Sequence, residues 1–519
     1  MNKYYIIKKL IKGSGLLEHM GILSILPPII AIFLAFWTRN VIFSLFLGTY
    51  IGVLILVNYN PITGVTSFIG DYLFVQLTDS YNAAVIVLLI FIGGFVTLVE
   101  KSGGGVAFAK SAEKLINSRM KGQLGAWFGG ILIFFSDLGT PLIVGPVFEN
   151  IFDKLKISRE KLAWIIDSTA SPVAVMVPFI GWGVYIMGLI NQEYENLGIT
   201  ESDFTAFISS LPYFIYPILA VLIVPAIIFT KFDFGPMKLA EERTLLGERF
   251  WENSKPLRRP ESLDMTAHKS KPIIIWLPLL ILFITLFTLL TLRGFPFESV
   301  PGEEFRVALS TAYFFAALAI MGLMVLYGVK NIAESFKIYT EGMQKMIDVI
   351  LILVLAWSLG LVLDQMGTAN YIVQLVDGTV PLIFIPVLIF LVGAAMSFAS
   401  GTSWGTFAIM LPLAIPLGFH LDISVYLCIG AVISAGIFGD HCSPISDTTI
   451  LSSTGAGCDH IDHNKTQIPI AVFNAVITII TLLLAPTLGS TFTALFAVVL
   501  MIIGTFILSK QKLFNKKHA

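Results

Sequence analysis

Apolar runs of about 20 residues, the length needed to cross a hydrocarbon core of about 30 Å, recur along the whole of this 519-residue chain. No water-soluble fold has interior enough to hide them all. Simple runs lie at 20–37, 40–58, 83–100, 205–230, 273–292, 305–328, 346–364, 467–486 and 490–509. Four more, at 122–152, 162–190, 381–418 and 425–455, are apolar but interrupted by Gly, Pro, Ser, Thr and Asp. Composition agrees, with 56% hydrophobic and 13% charged residues, against about 25% charged in an average soluble domain. The net charge of −1 gives no basic excess for nucleic acid and no acidic excess for a solvated chain, so the partner is lipid. Cys428, Cys442 and Cys458, an odd number in or beside apolar stretches, supply no disulfide framework. The run 20–37 contains Pro27-Pro28 and no small-residue cleavage site, so it reads as a spanning helix rather than a removed signal.

Lys and Arg in short loops favour the cytoplasm. Residues 101–121 carry Lys101, Lys110, Lys114, Arg119 and Lys121, and residues 153–161 carry Lys154, Lys156, Arg159 and Lys161. Both ends of 122–152 therefore face the same way. As one straight helix it would be about 46 Å long, and SDLGTP (136–141) breaks it near the middle. A re-entrant hairpin satisfies both facts. The region 162–190 then crosses outward to 191–203, which has four acids and no Lys or Arg. Run 205–230 returns to the polar stretch 231–272, with nine Lys/Arg, read as a cytoplasmic connector between a first half, 1–230, and a second, 273–519.

The halves share a pattern. At a constant offset of 266, residues 138–158 lie on 404–424 with identities that include Gly139/Gly405, Thr140/Thr406, Pro146/Pro412, Ile157/Ile423 and Ser158/Ser424. After a shift of six residues, Ser171-Pro172 falls near Ser443-Pro444. A broken hairpin and a broken helix thus recur in the same order. The segment 419–424 lacks Lys and Arg, whereas Lys465 and the tail (Lys510, Lys512, Lys516, Lys517) mark the far end as cytoplasmic, so the second copy is inverted. The leader is at odds with this: inversion wants 20–37 to start outside, yet Lys3, Lys8, Lys9 and Lys12 precede it. Either 59–82 hides a crossing or the leader lies along a surface. The expected fold is all-α, a polytopic membrane protein of two inverted repeats, each with a re-entrant hairpin and a broken transmembrane helix.

In lipid, irregular backbone survives at depth only when buried in protein or lining a wet cavity. A broken helix frees carbonyls at one new end and N–H groups at the other, whose partial charges of roughly half a unit can hold ions. SDLGT (136–140) and SGTSWGT (400–406) suit two hairpin tips meeting near the midplane and offering hydroxyl oxygens to a small hard cation. Each alone is equally explained by close helix packing. Asp137, Asp167, Asp440 and Asp447 fall within interrupted stretches, where a carboxylate at the bilayer centre costs about 2.5–3.5 kcal/mol unless it serves an ion path, a helix cap or a packed polar pair. Proton and metal ion competing for one carboxylate is the simplest exchange mechanism. The neutral ligands expected beside them are Ser136, Thr140, Ser171, Ser400, Thr402, Ser443 and Thr448, and His441 adjoins Asp440 as a proton holder or a satisfied hydrogen-bonding residue. Cys458, His460 and His463 stand close together in GCDHIDH (457–463), but no second cluster completes a zinc site. No nucleotide loop occurs, and no nucleophile and base pair supports an enzyme.

The stretch FGDHCSPISDTTILSSTGAGCDHIDHNKTQIP (438–469) resembles the signature of NhaC-type sodium/proton antiporters, as do ISREKLAWIIDSTASPVA (157–174) and LPPIIAIFLAFWTRNVIFSLFLG (26–48). The resemblance implies ion-coupled secondary transport, with hairpin tips and broken helices forming the site and a transport domain moving against a scaffold. Relatives often carry two aspartates where this chain reads FFSDLGTP (134–141), with Ser136 in place of the first acid. Members also include carriers of organic acids and amino acids. The expected function is exchange of sodium for protons across the cytoplasmic membrane without a cofactor, the alternative being ion-coupled transport of a small organic solute such as an amino acid or carboxylate. Expected partners are membrane lipid, Na+ and H+, with an organic solute and a second copy of the chain as further candidates, and no nucleic acid.

Overall fold

The computed structural model describes residues 19–105, 107, 116–257, 270–295, 300–376 and 379–515. Lys3, Lys8, Lys9, Lys12, Lys110, Lys114, Lys516, Lys517 and part of the connector (258–269) lie outside the described residues. No strand occurs among those described. The first half runs through α1 (Leu26–Thr38), α2 (Val41–Leu56), α3 (Pro61–Thr78), α4 (Ser80–Lys101), α5 (Arg119–Leu132), α6 (Gly139–Lys154), α7 (Arg159–Asp167), the single turn α8 (Ser171–Ala174), α9 (Gly181–Leu197), α10 (Asp203–Ser210) and α11 (Ile215–Thr230). The connector contributes α12 (Gly235–Leu245). The second half holds α13 (Ile273–Thr291), α14 (Gly302–Leu326), α15 (Ile332–Gln344), α16 (Ile347–Met366), α17 (Thr368–Val376), α18 (Ile385–Ser400), α19 (Ser403–His420), α20 (Val425–Cys442), α21 (Asp447–Ala456) and α22 (His460–Asn515). Nine described helices are long and apolar enough to cross a membrane, and two bent pairs qualify when each pair is taken as one span. Large apolar side chains such as Phe314, Phe315, Ile502 and Ile503 stay exposed on outer faces, where lipid covers them.

The repeat is more regular than the sequence identities suggest. Helices starting at Ser80, Arg119, Gly139, Arg159 and Gly181 recur at Ile347, Ile385, Ser403, Val425 and Asp447, each within two residues of the 266 offset. The six-residue shift is not needed for the second half-helices, because the first break (168–180) is longer than the second (443–446). The stretch 59–82 is helical over α3, which turns 119° from α2, and it takes the place in the first half that α15 takes in the second. Run 205–230 is bent by 50° where α10 meets α11, at Pro212 and Phe214. Runs 467–486 and 490–509 form α22, kinked at Gly489 with φ +71° and ψ 168°.

Hairpin arms α5, α6, α18 and α19 hold 14, 16, 16 and 18 residues, about 21–27 Å each, and each pair doubles back at a short irregular tip, so α18 and α19, although long and apolar enough to count among the nine, form the two arms of one hairpin. The two hairpins enter from opposite faces. At the ends of α5 and α6, Arg119 pairs with Glu241 of α12, and the Ser158 backbone N–H donates to Glu241 Oε1 at 2.8 Å. At the other face Tyr426, just after α19, donates to Glu201 of the acid-rich loop at 2.9 Å. The loop after α21 returns to the connector side, where the Leu257 N–H donates to the Cys458 carbonyl at 3.0 Å.

Local chemistry sets the breaks. Ser158, Ser424 and Ser446 accept hydrogen bonds from backbone N–H groups of the turns they start. Gly401, at φ +71°, turns the tip of hairpin α18–α19, where a Cβ would lie 2.8 Å from the Ile445 carbonyl oxygen. α6 crosses α21 backbone to backbone: a Cβ at Gly145 would come within 2.3 Å of Gly455, and one at Gly455 within 2.2 Å of the Pro141 carbonyl. Gly145→Ala and Gly455→Ala are each expected to cost about 1–3 kcal/mol through overpacking and to lower the thermal unfolding midpoint in detergent. Wild-type midpoints for both variants would show that the crossing is looser than drawn.

Candidate functional site

Both hairpin tips and both broken helices open onto one cavity of about 590 Å3. Ser136 and Asp137 come from the first tip, and Thr402, Ser403 and Trp404 from the second. Trp182 stands at the start of α9, and Asp440, Asp447 and Thr448 flank the second break. The opposite wall comes from α4 and the α15–α16 junction, through Glu100, Lys345 and Asp348. The lining holds five carboxylates and one cationic side chain, Lys345, which lies 3.6 Å from Glu100. Clustered charge of one sign between low-dielectric walls concentrates counter-ions, so the cavity favours cations.

Asp440 is the most enclosed of these acids, 4% exposed. Ser446 donates to its Oδ1 at 2.7 Å and Thr448 to its Oδ2 at 3.2 Å. Both donors are hydroxyls on the far side of the break, put there by the Ser443–Ser446 turn that separates α20 from α21. A hydroxyl can rotate to present a lone pair instead of its proton. The same three side chains can therefore surround either a carboxylate, a carboxylic acid or a bound cation without leaving a buried polar atom unpaired.

Six of the twelve residues singled out in the sequence line this cavity: Ser136, Asp137, Thr402, Asp440, Asp447 and Thr448. Asp447 is exposed at the first turn of α21 rather than buried. The other six face elsewhere. Thr140 donates to the Ile133 and Ser136 carbonyls and Ser400 to Met396, satisfying helix backbone. Ser443 accepts from the Ile445 N–H, and the Ser171 hydroxyl is buried without a partner. Asp167, fully buried, sits in a separate network of side chains, accepting from Gln467 at 2.6 Å, Thr449 at 3.2 Å and Ser452 at 3.3 Å. His441 belongs to that network, its Nε2 lying 3.1 Å from the Asp167 carbonyl and its Nδ1 3.3 Å from the Tyr216 hydroxyl.

Sequence reasoning missed several groups. Glu100 ends an ordinary apolar run, yet it accepts from Ser136 at 2.8 Å, placing a carboxylate beside the position where an acid had been missing. Trp182 and Trp404 pack against each other with centroids 4.3 Å apart and planes inclined by 38°. The GCDHIDHNKTQ stretch serves the break: Gln467, Asn464 and His460 meet the carbonyls of His441, Cys442 and Pro444, which the end of α20 leaves open. His463 bridges Ser453 and Gln467.

With this geometry in view, comparisons with known proteins place the chain. The model of the family described as "Na+/H+ antiporter family" matches residues 173–486. An uncharacterized protein of Haemophilus influenzae is 33% identical over 494 residues, 92% of each chain. The malate-2H+/Na+-lactate antiporter of Bacillus subtilis is 31% identical over 186 residues, 34% of this chain and 36% of its own. Among solved structures, Neisseria gonorrhoeae MtrF, described as illuminating a class of antimetabolite efflux pumps, superposes with a TM-score of 0.52 at 12% identity, covering 82% of this chain and 85% of that one, a likeness of fold. The chain belongs to the Na+/H+ antiporter family and is a multi-pass, sodium-coupled membrane transporter rather than an enzyme.

Proposed function

We propose that the chain exchanges sodium for protons across the cytoplasmic membrane by alternating access, with Asp440 as the carboxylate that the two ions share. The observation that carries this reading is the enclosed Asp440, held by two rotatable hydroxyls at a helix break and lining a cation-attracting cavity. Asp137, Asp447 and Glu100 would collect ions for it. In this reading 1–230 and 273–519 are two transmembrane halves joined by a cytoplasmic connector, 231–272. The hairpins and broken helices move against a scaffold of α4, α13, α14 and α15, and the Asp167 network stiffens the moving part.

A second reading is favoured by size. A cavity of about 590 Å3 is far larger than a bare sodium ion needs, within the roughly 300–1,000 Å3 range of small-molecule sites, and the Trp182–Trp404 pair gives it an apolar wall. The similar Bacillus protein is named for malate and lactate. A single assay separates the readings: a sodium pulse given to proteoliposomes holding a pH dye, with and without added carboxylic or amino acids. Sodium/proton exchange predicts a pH change from sodium alone. Sodium flux that requires a solute and moves no protons would overturn it in favour of the second reading.

A further inference from the structure

A second, much smaller pocket lies at the opposite ends of the helices that build the main cavity. α9 brings Trp182 to the cavity and Glu193 to the pocket; α16 brings Asp348 to one and Asp364 to the other; α19 brings Trp404 to one and His420 to the other. Along α16 the separation is 16 residues, about 24 Å at 1.5 Å per residue. The pocket lies where α9 runs out into the acid-rich stretch 191–203, which the charge pattern places outside, whereas Glu100 and Lys345 on the main cavity stand at the ends of their helices that the same pattern places at the cytoplasm. Between the two spaces lies an aromatic layer on the same three helices. Tyr185 donates to the Trp404 carbonyl at 2.7 Å and meets its ring at 4.6 Å, and Trp357 donates to the Gly188 carbonyl at 3.0 Å.

The pocket, about 40 Å3, is of ion size, and its lining carries an unmet demand. Glu193 is 2% exposed, and its Oε1 has no hydrogen-bond partner. A buried anionic oxygen without a donor is costly unless a proton or cation joins it. Room for the carboxylate is built in: a Cβ at Gly360 would come within 2.3 Å of Glu193 Oε1. Asp364 and His420 line the same pocket, and the lining holds no Lys or Arg. A pocket lined by two carboxylates and no Lys or Arg favours a cation or a proton over an anion.

We propose that Glu193 forms the outer station on the ion route, a site that takes a sodium ion from the extracellular face and is shut off from Asp440 by the Tyr185–Trp404–Trp357 layer until the transporter reorients. The proposal rests on the sodium-transport reading above and adds a sided role to it. Its test measures half-saturating sodium separately in right-side-out and inside-out vesicles. Glu193→Gln is expected to raise the value at the outer face by about tenfold or more, since one unit charge is removed from a partly desolvated cation site, and to leave the inner-face value within about twofold. Gly360→Ala, which drives a methyl group against the same carboxylate, should give the same one-sided shift and covers the case in which the Gln variant is not made. An unchanged outer value, or equal shifts at both faces, would overturn the outer station while leaving sodium transport standing. A wild type silent to sodium from either face would instead sink the reading beneath it.

Discussion

Asp440→Asn is expected to remove the sodium-driven pH change of inverted vesicles while leaving the protein in the membrane at wild-type amounts. The amide is nearly isosteric and can still meet Ser446 and Thr448, now 2.7 and 3.2 Å from the carboxylate oxygens, so the break between α20 and α21 should keep its shape. What the amide lacks is the negative charge and the exchangeable proton. A unit charge about 4 Å from sodium contributes about 4 kcal/mol at an effective dielectric of about 20, close to a thousandfold in affinity. Asp447→Asn is the fitting control, because Asp447 lines the same cavity but is exposed. Its charge is screened by water, so a severalfold loss of apparent sodium affinity is expected there. Dye-monitored pH traces over a sodium titration give both numbers. A full response from Asp440→Asn would remove that carboxylate from the centre of the mechanism.

Why Asp440 could be read from sequence and Glu100 could not comes down to what an apolar helix records. A carboxylate or a Ser-Pro pair inside a long apolar run announces depth and interruption, because lipid tolerates neither without a reason. The hairpins, the breaks and the repeat were therefore legible to within a few residues. Rotation about the helix axis is another matter. A helix apolar on every side has no polar stripe to say which way a residue points, so Asp167 and Asp440 looked equivalent, and only packing separated the closed Gln467 network from the open cavity. Glu100 and Trp404 were missed for the related reason that a Glu at a helix end and a Trp in an apolar run are ordinary in membranes. α15 escaped because its Glu334, Lys337 and Glu341 mark it as polar loop, although an Asn331 capping box starts it as a helix.

The largest stability effect is expected far from the ion, where the connector is fastened. Arg243 of α12 makes a two-pronged pair with Glu160 of α7, both contacts at 3.0 Å, with the side chains only 3% and 1% exposed. The guanidinium also donates to the Arg249 carbonyl at 2.9 Å and lies 4.5 Å from the Trp251 ring centre. Paired, two buried charges roughly offset their own desolvation; alone, one of them does not. Arg243→Ala strands the Glu160 carboxylate and should cost about 3–5 kcal/mol, seen as a lower thermal midpoint in detergent and less protein in the membrane. Glu160→Gln combined with Arg243→Met removes both charges and keeps most of the volume, so it should recover most of that loss. The comparison separates charge from packing: if the double variant is as unstable as Arg243→Ala, the contribution of this site lies in the arginine's contact with Trp251 and the backbone. If Arg243→Ala is as stable as wild type, the connector is not fastened to α7 by this pair.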